Sequence, residues 1–203
     1  MKRWSIYLRM ESDTIPLDYS VAGDEIKTYI HVITSHNGMH STSIIAHQQR
    51  AICKNILNAG LRGMECYSSF KHTANYRMRI DEAKIMFEKY RDVFMRQKEA
   101  FCAMASKQMN SLRLDSFLDE LFKIDREKEI STRVKNQREE VERLFTDGKG
   151  HNTPGVCGTD WAGYNAVCEY IVHERGTKEN REYASMFGSG AAMREKAYAI
   201  LTR

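Results

Sequence analysis

Two runs rich in β-branched residues, Ile26 to His36 and Met39 to His47, stand on either side of Asn37-Gly38. Asn-Gly is the preferred two-residue hairpin turn, because both positions accept the positive φ of a type I′ turn. A chain with this hairpin commits its first part to an antiparallel sheet. Closing the strands on that turn sets His36 opposite Met39, Ile30 opposite Ile45 and His31 opposite Ile44. Upstream, Trp4, Ile6, Leu8 and Met10 alternate with Ser5, Tyr7 and Arg9, the period of a half-buried strand. Pro16 and Gly23 then mark a loop or a short edge strand.

From Gln48 the period becomes helical, with Ile52, Cys53, Ile56, Leu57 and Leu61 on one face and Gly60 and Gly63 as a stop. Met64 to His72 reads as a further strand. A long amphipathic helix is expected over 81–109, its apolar face interrupted at Gln97. A short helix follows, from Asp115 as candidate cap to Phe122. Over 126–145 a highly charged helix carries a thin seam of Ile130, Val134, Val141 and Leu144, which reads as a solvated arm or a partner-contacting helix. After a loop at 147–155, Thr159 caps a helix with Trp161, Tyr164, Val167, Cys168 and Ile171 on one face. Gly188-Ser189-Gly190 opens a last helix ending near Leu201.

The fold class is therefore α+β: an N-terminal antiparallel sheet with a hairpin and a packed helix, then a mostly helical half. The sheet region spans 1–80 and the helical region 81–203, as one domain with 126–150 projecting. A chain of 203 residues that is 42% hydrophobic buries a sizeable core. It has no apolar run of roughly 20 residues and no signal-peptide core, so no membrane partner and a cytoplasmic location in the host cell are expected. Five scattered cysteines without a C-x-x-C pair suggest neither a disulfide framework nor a zinc knuckle.

Candidate chemistry is sparse. In the hairpin register above, His31 and His47 point to opposite faces, so with His36 and His40 they do not converge on one ion. Neither a metal nor a cofactor is expected, and no residue is assigned a catalytic role. Cys53 and His72 are a conceivable thiolate–imidazolium pair, with core packing the commoner role for such a cysteine. Gly188-Ser189-Gly190 is half of a phosphate-cradling loop, equally explained as a helix cap. Asn165, Glu169 and His173, at i, i+4 and i+8, form a polar ridge suited to a buried network or to a ligand-facing edge.

Charge points more definitely. The net charge is +4, and residues 1–80 hold ten Lys/Arg against six Asp/Glu while the remainder is balanced. Lys27, Arg50, Lys54, Arg62, Lys71, Arg77 and Arg79 are the candidates to track phosphates. Tyr29, Tyr67 and Phe70 are candidates to stack on bases.

Several stretches together resemble successive motifs of one family. They are Thr34-Ser35-His36-Asn37-Gly38, Arg50-Ala51-Ile52-Cys53-Lys54-Asn55-Ile56-Leu57, Phe70-Lys71-His72-Thr73, Gly158-Thr159-Asp160-Trp161, Asn165-Ala166-Val167, Glu169-Tyr170, His173-Glu174-Arg175 and Phe187-Gly188-Ser189-Gly190. The chain resembles the phage/plasmid-like protein family, domain of unknown function number nine hundred and thirty-two, from about residue 26 to the C-terminus. Asn37 stands where many relatives are expected to carry Asp, and the N-terminal region is shorter. The resemblance implies a phage or plasmid context and no activity or catalytic residues.

The leading expectation is a nucleic-acid-handling protein that binds or anneals single-stranded DNA in recombination, acting as a homo-oligomer. Its warrant is the basic sheet region, whose strands-then-helix order resembles the β-β-β-α core of phage annealing proteins. A non-enzymatic factor binding a host or defence protein is the alternative. A metal-dependent nuclease or hydrolase using the histidines and Glu169 is the second alternative.

Overall fold

The computed structural model describes residues 4–9, 18–34, 42–57, 67–70, 92–177, 181, 184–186 and 188–203. Five strands form one antiparallel sheet: β1 (Trp4–Arg9), β2 (Tyr19–Val21), β3 (Asp24–Thr34), β4 (Thr42–Arg50) and β5 (Tyr67–Phe70). The long β3 lies inside it. β1 and β2 share one of its edges, β4 takes the other, and β5 pairs beyond β4.

A tight two-residue turn closes the β2–β3 hairpin. Val21 pairs with Asp24 across Ala22 and Gly23, whose φ values of 48° and 88° are the positive pair of a type I′ turn. The β3–β4 ladder is one residue out from the register implied by Asn37-Gly38. Ile30 faces Ala46, His31 faces Ile45, and Tyr29 faces His47. Positions 31 and 47 therefore share a sheet face, which corrects the expectation of opposite faces. The reason is burial: this register sets Ile26 opposite Arg50, both on the face that meets the helices, with Asp24 two residues along. A one-residue slip between β3 and β4 would put Arg50 on the opposite face from Asp24 and Ile26. The turn residues Ser35, His36, Asn37, Gly38 and His40 lie outside the described residues.

The helix expected from Gln48 is replaced by a strand end and a turn. Gln48 to Arg50 complete β4, and Leu57 then donates back to the Gln48 carbonyl (2.9 Å). Lys54 sits at φ 57°, a left-handed conformation that no α-helix interior accommodates. Ile52, placed on the apolar face by helical spacing, is 59% exposed. Cys53, Ile56 and Leu57 are buried through the turn instead.

The helical half follows the expected order with shifted ends. Residues 92–106 form α1, the described part of the helix expected over 81–109. Helix α2 (Ser111–Phe122) is capped by Asn110 rather than Asp115, because the Asn110 side chain accepts from the Arg113 N–H. Helix α3 (Thr132–Asp147) starts at the Ser131 cap. Its Val141 and Leu144 join the main core beside α4 (Asp160–Glu169), while Ile130 precedes the helix and stays exposed. All ten residues of α4 are buried, so this helix is the axle of the fold. It begins at the Thr159 cap and continues into a π-helical turn, Tyr170–Glu174, closed by Arg175 N–H on the Tyr170 carbonyl (2.8 Å). Helix α5 (Ser189–Leu201) completes the core through Ala197 and Leu201. Val21, Ile26 and Leu57 of the sheet region belong to the same core, which joins the two halves. No helix among the described residues is long and apolar enough to cross a membrane.

Candidate functional site

The motifs at 50–57, 158–161, 165–167, 169–170 and 173 meet where the turn after β4 packs on α4. Arg50 is 2% exposed, and its Nη2 donates to Asp24 Oδ1 at 2.7 Å. The other Asp24 oxygen accepts from Trp161 Nε1 at 2.8 Å. Arg50 also donates to the Lys149 carbonyl (2.7 Å) and the Gly150 carbonyl (2.9 Å). Glu169 accepts the Lys149 N–H (3.0 Å), so the loop after α3 is held from both sides. One buried guanidinium thus ties the β2–β3 turn, the α3–α4 loop and, through Asp24, the first turn of α4. Its fork geometry is what allows a carboxylate and two carbonyls to share one side chain.

The irregular segment 53–57 is buried except at Lys54, and buried carbonyls need donors. Side chains supply them one by one. His173 Nε2 donates to the Cys53 carbonyl (2.9 Å), Gln49 Nε2 to Lys54 (2.8 Å), Arg194 to Ile56 (3.3 Å) and the Tyr164 hydroxyl to Leu57 (2.6 Å). Asn55 Nδ2 donates to the Asn165 carbonyl (3.4 Å), and Asn165 Nδ2 to that of Trp161 (2.9 Å). The ridge of Asn165, Glu169 and His173 is therefore a buried fastening for the turn and the loop. Beside it, Arg50, Asn165, Glu169 and His151 line a void of about 10 Å³, the size of one water molecule and too small for a substrate.

This arrangement decides several sequence candidates. Arg50 is not a phosphate contact, because burial and Asp24 claim its charge. Lys27 is paired with Glu25 (3.3 Å), and Lys54 is exposed on its turn. Arg62, Lys71, Arg77 and Arg79, with the motif residues His72 and Thr73, lie outside the described residues. Burial raises the Cys53 thiol above its ordinary value and pushes Cys168 up to about 12, so neither is primed as a nucleophile. Among the described residues no three His, Cys, Asp or Glu side chains stand together to hold a metal ion.

Gly150 carries a measurable consequence of the fastening. It takes φ 75°, and a Cβ there would stand 2.6 Å from Arg50 Nη2 and 2.9 Å from its Cζ. The guanidinium is pinned by Asp24 and cannot yield. Gly150→Ala is expected to lower unfolding free energy by about 1–3 kcal/mol, read as a lower urea midpoint at unchanged m-value.

A second feature, on the far side of the π-turn, is large and open. A cleft of about 380 Å³ lies between α3, the π-turn and the start of α5. Among the described residues, Arg133, Arg175 and Arg181 line it against one carboxylate, Glu174. Arg181 is spent on the His173, Arg175 and Gly176 carbonyls. The Arg175 guanidinium donates to the Met193 sulfur (3.9 Å), and neither it nor that of Arg133 has a carboxylate partner among the described residues. Ser189 and Gly190 of α5 also border the cleft, and the helix starts at Gly188 without a side-chain cap. Gly190 is needed there, since a Cβ would meet Ile171 Cγ2 at 2.7 Å. The dipole of a helix start favours an anion beside such arginines. Reading the chain for charge missed this cleft, because its region is neutral overall. The His173-Glu174-Arg175 and Phe187-Gly188-Ser189-Gly190 stretches were the signal that leads to it.

No curated protein and no solved structure matches the chain. A family model does, over residues 3–189, which span nearly all of the sequence quoted for the buried fastening and the cleft. The chain belongs to the family described as domain of unknown function (DUF932).

Proposed function

We propose that the protein is a phage- or plasmid-encoded, nucleic-acid-handling factor that binds single-stranded DNA by its phosphates, in annealing or recombination, without catalysing a reaction. The observation that carries this reading is the cleft of about 380 Å³ with two arginines, Arg133 and Arg175, that have no carboxylate partner among the described residues. A phosphodiester matches that chemistry: it accepts from guanidinium donors and from the N–H groups at the start of α5. The motif side chains suited to catalysis, Glu169, His173 and Asn165, make hydrogen bonds to backbone groups inside the protein, which favours binding over turnover. Lys54, exposed at the end of the sheet, is available for a further phosphate contact.

Fluorescence anisotropy of a labelled single-stranded oligonucleotide tests the reading. Binding is expected at about 50 mM salt and is expected to weaken steeply by about 200 mM. Arg133→Ala with Arg175→Ala should weaken it roughly tenfold and flatten the salt dependence by about 1.4 log units per decade, the loss of two contacts. Light scattering on the same samples reads the expected homo-oligomer. No binding at micromolar protein and low salt would overturn the proposal and direct attention to a host or defence protein as partner.

A further inference from the structure

The loop between α3 and α4 carries a pair of side chains that the phosphate reading does not use. Cys157 Sγ lies 3.5 Å from His151 Nε2, within hydrogen-bonding distance for sulfur, and the thiol is exposed. Both backbones are held. His151 N–H bonds the Gly148 carbonyl (3.0 Å), and the neighbouring Lys149 and Gly150 carbonyls are gripped by Arg50. Val156, fully buried, anchors the chain immediately before Cys157, and the Thr159 hydroxyl donates to the Val156 carbonyl (2.6 Å). The imidazole borders the small void with Glu169, its Nδ1 turned inward and its Nε2 facing the sulfur.

The chain holds an internal contrast. Cys53 and Cys168 are buried, while Cys102 is exposed on α1 and has no histidine hydrogen-bonded to it among the described residues. Exposure is common to Cys102 and Cys157; the held imidazole is not.

We propose that Cys157 is a nucleophilic thiol with His151 as its proton acceptor, and that it forms mixed disulfides reversibly with small, low-molecular-weight disulfides. The thiol proton passes to His151 Nε2 as the Cys157 sulfur attacks one sulfur of the disulfide. A new S–S bond forms, the old one breaks, and the departing sulfur leaves as a thiolate that takes up a proton. Cys157 is oxidised and the leaving half of the reagent is reduced, so no further oxidant enters. The fixed loop supplies proximity, which is what separates an activated thiol from one that is merely exposed.

The test uses the whole protein and 5,5′-dithiobis(2-nitrobenzoate) at neutral pH, with the modified cysteine identified by peptide mass mapping at short times. Cys157 is expected to react about tenfold faster than Cys102, and His151→Asn to bring it down to the Cys102 rate while Cys102 itself is unchanged. Equal rates for the two thiols in the unmodified protein, or a Cys157 rate indifferent to His151→Asn, would overturn the proposal. Should His151→Asn fail to fold, the ratio of the two thiols in the unmodified protein decides alone, with Cys102 as the standard.

Discussion

Arg50→Met is expected to cost about 3–5 kcal/mol of unfolding free energy, the range for breaking a buried ion pair from one side. The reason lies in what stays behind. Asp24 keeps a carboxylate whose side chain is 2% exposed, with Trp161 Nε1 as its remaining donor. The Lys149 carbonyl loses its Arg50 donor at the same time, and the Gly150 carbonyl is left with the Thr153 N–H (3.1 Å). Removing the charge on both sides should cost less than the two single changes together. In Asp24→Asn with Arg50→Met no isolated charge remains, and the asparagine oxygen still accepts from Trp161. Arg50→Lys is not conservative here: a lone ammonium lacks the planar fork that reaches Asp24 and two carbonyls together. Urea unfolding of the four proteins measures this, the double change against the sum of the singles. A cost below about 1 kcal/mol for Arg50→Met would mean that the loop after α3 is held by other contacts.

Arg50 also shows where legibility ends. An arginine at the end of a strand, in the basic part of the chain, reads as a surface cation. Its partners lie at Asp24 and, about a hundred residues on, at Lys149 and Gly150; no local pattern announces them. Local chemistry was legible wherever it is self-contained. Thr159 caps α4 because its hydroxyl needs only the Ala162 N–H three residues on. The α+β order was legible for the same reason, since alternation and helical spacing are properties of single segments. Register was not. Asn37-Gly38 names a turn type, but the ladder obeys the burial of Ile26 and Arg50 on one face. The tight turn at Ala22-Gly23 was hidden by Ala22, a residue that rarely takes positive φ. Helical spacing after Gln48 picked out three buried residues but not Ile52, and it was wrong as a conformation. Cys53, Ile56 and Leu57 are buried as a turn whose carbonyls are satisfied from α4, α5 and the π-turn, a condition set only by tertiary contact. The cleft was partly legible: its bordering motifs were visible, and their convergence was not.

Phe101→Ala is expected to be as damaging, about 3–5 kcal/mol, for a different reason. Phe101 is fully buried on α1, with the rings of Trp161, Tyr164 and Tyr198 at 4.9, 5.5 and 6.1 Å between centroids. Truncation leaves a cavity bounded by three large rings that cannot all close over it. Two of those rings do polar work elsewhere: Trp161 donates to Asp24, and Tyr164 to the Leu57 carbonyl. The cluster and the Arg50 fastening should therefore be coupled through Trp161. A double-mutant cycle with Phe101→Leu, which keeps the protein folded at a cost of about 1.5 kcal/mol or less, and Arg50→Met reads that coupling. An interaction energy of at least about 0.5 kcal/mol is expected. Strict additivity would mean that Trp161 holds Asp24 equally well whether or not Phe101 supports it, and that the aromatic cluster and the Arg50 fastening stabilise the fold independently.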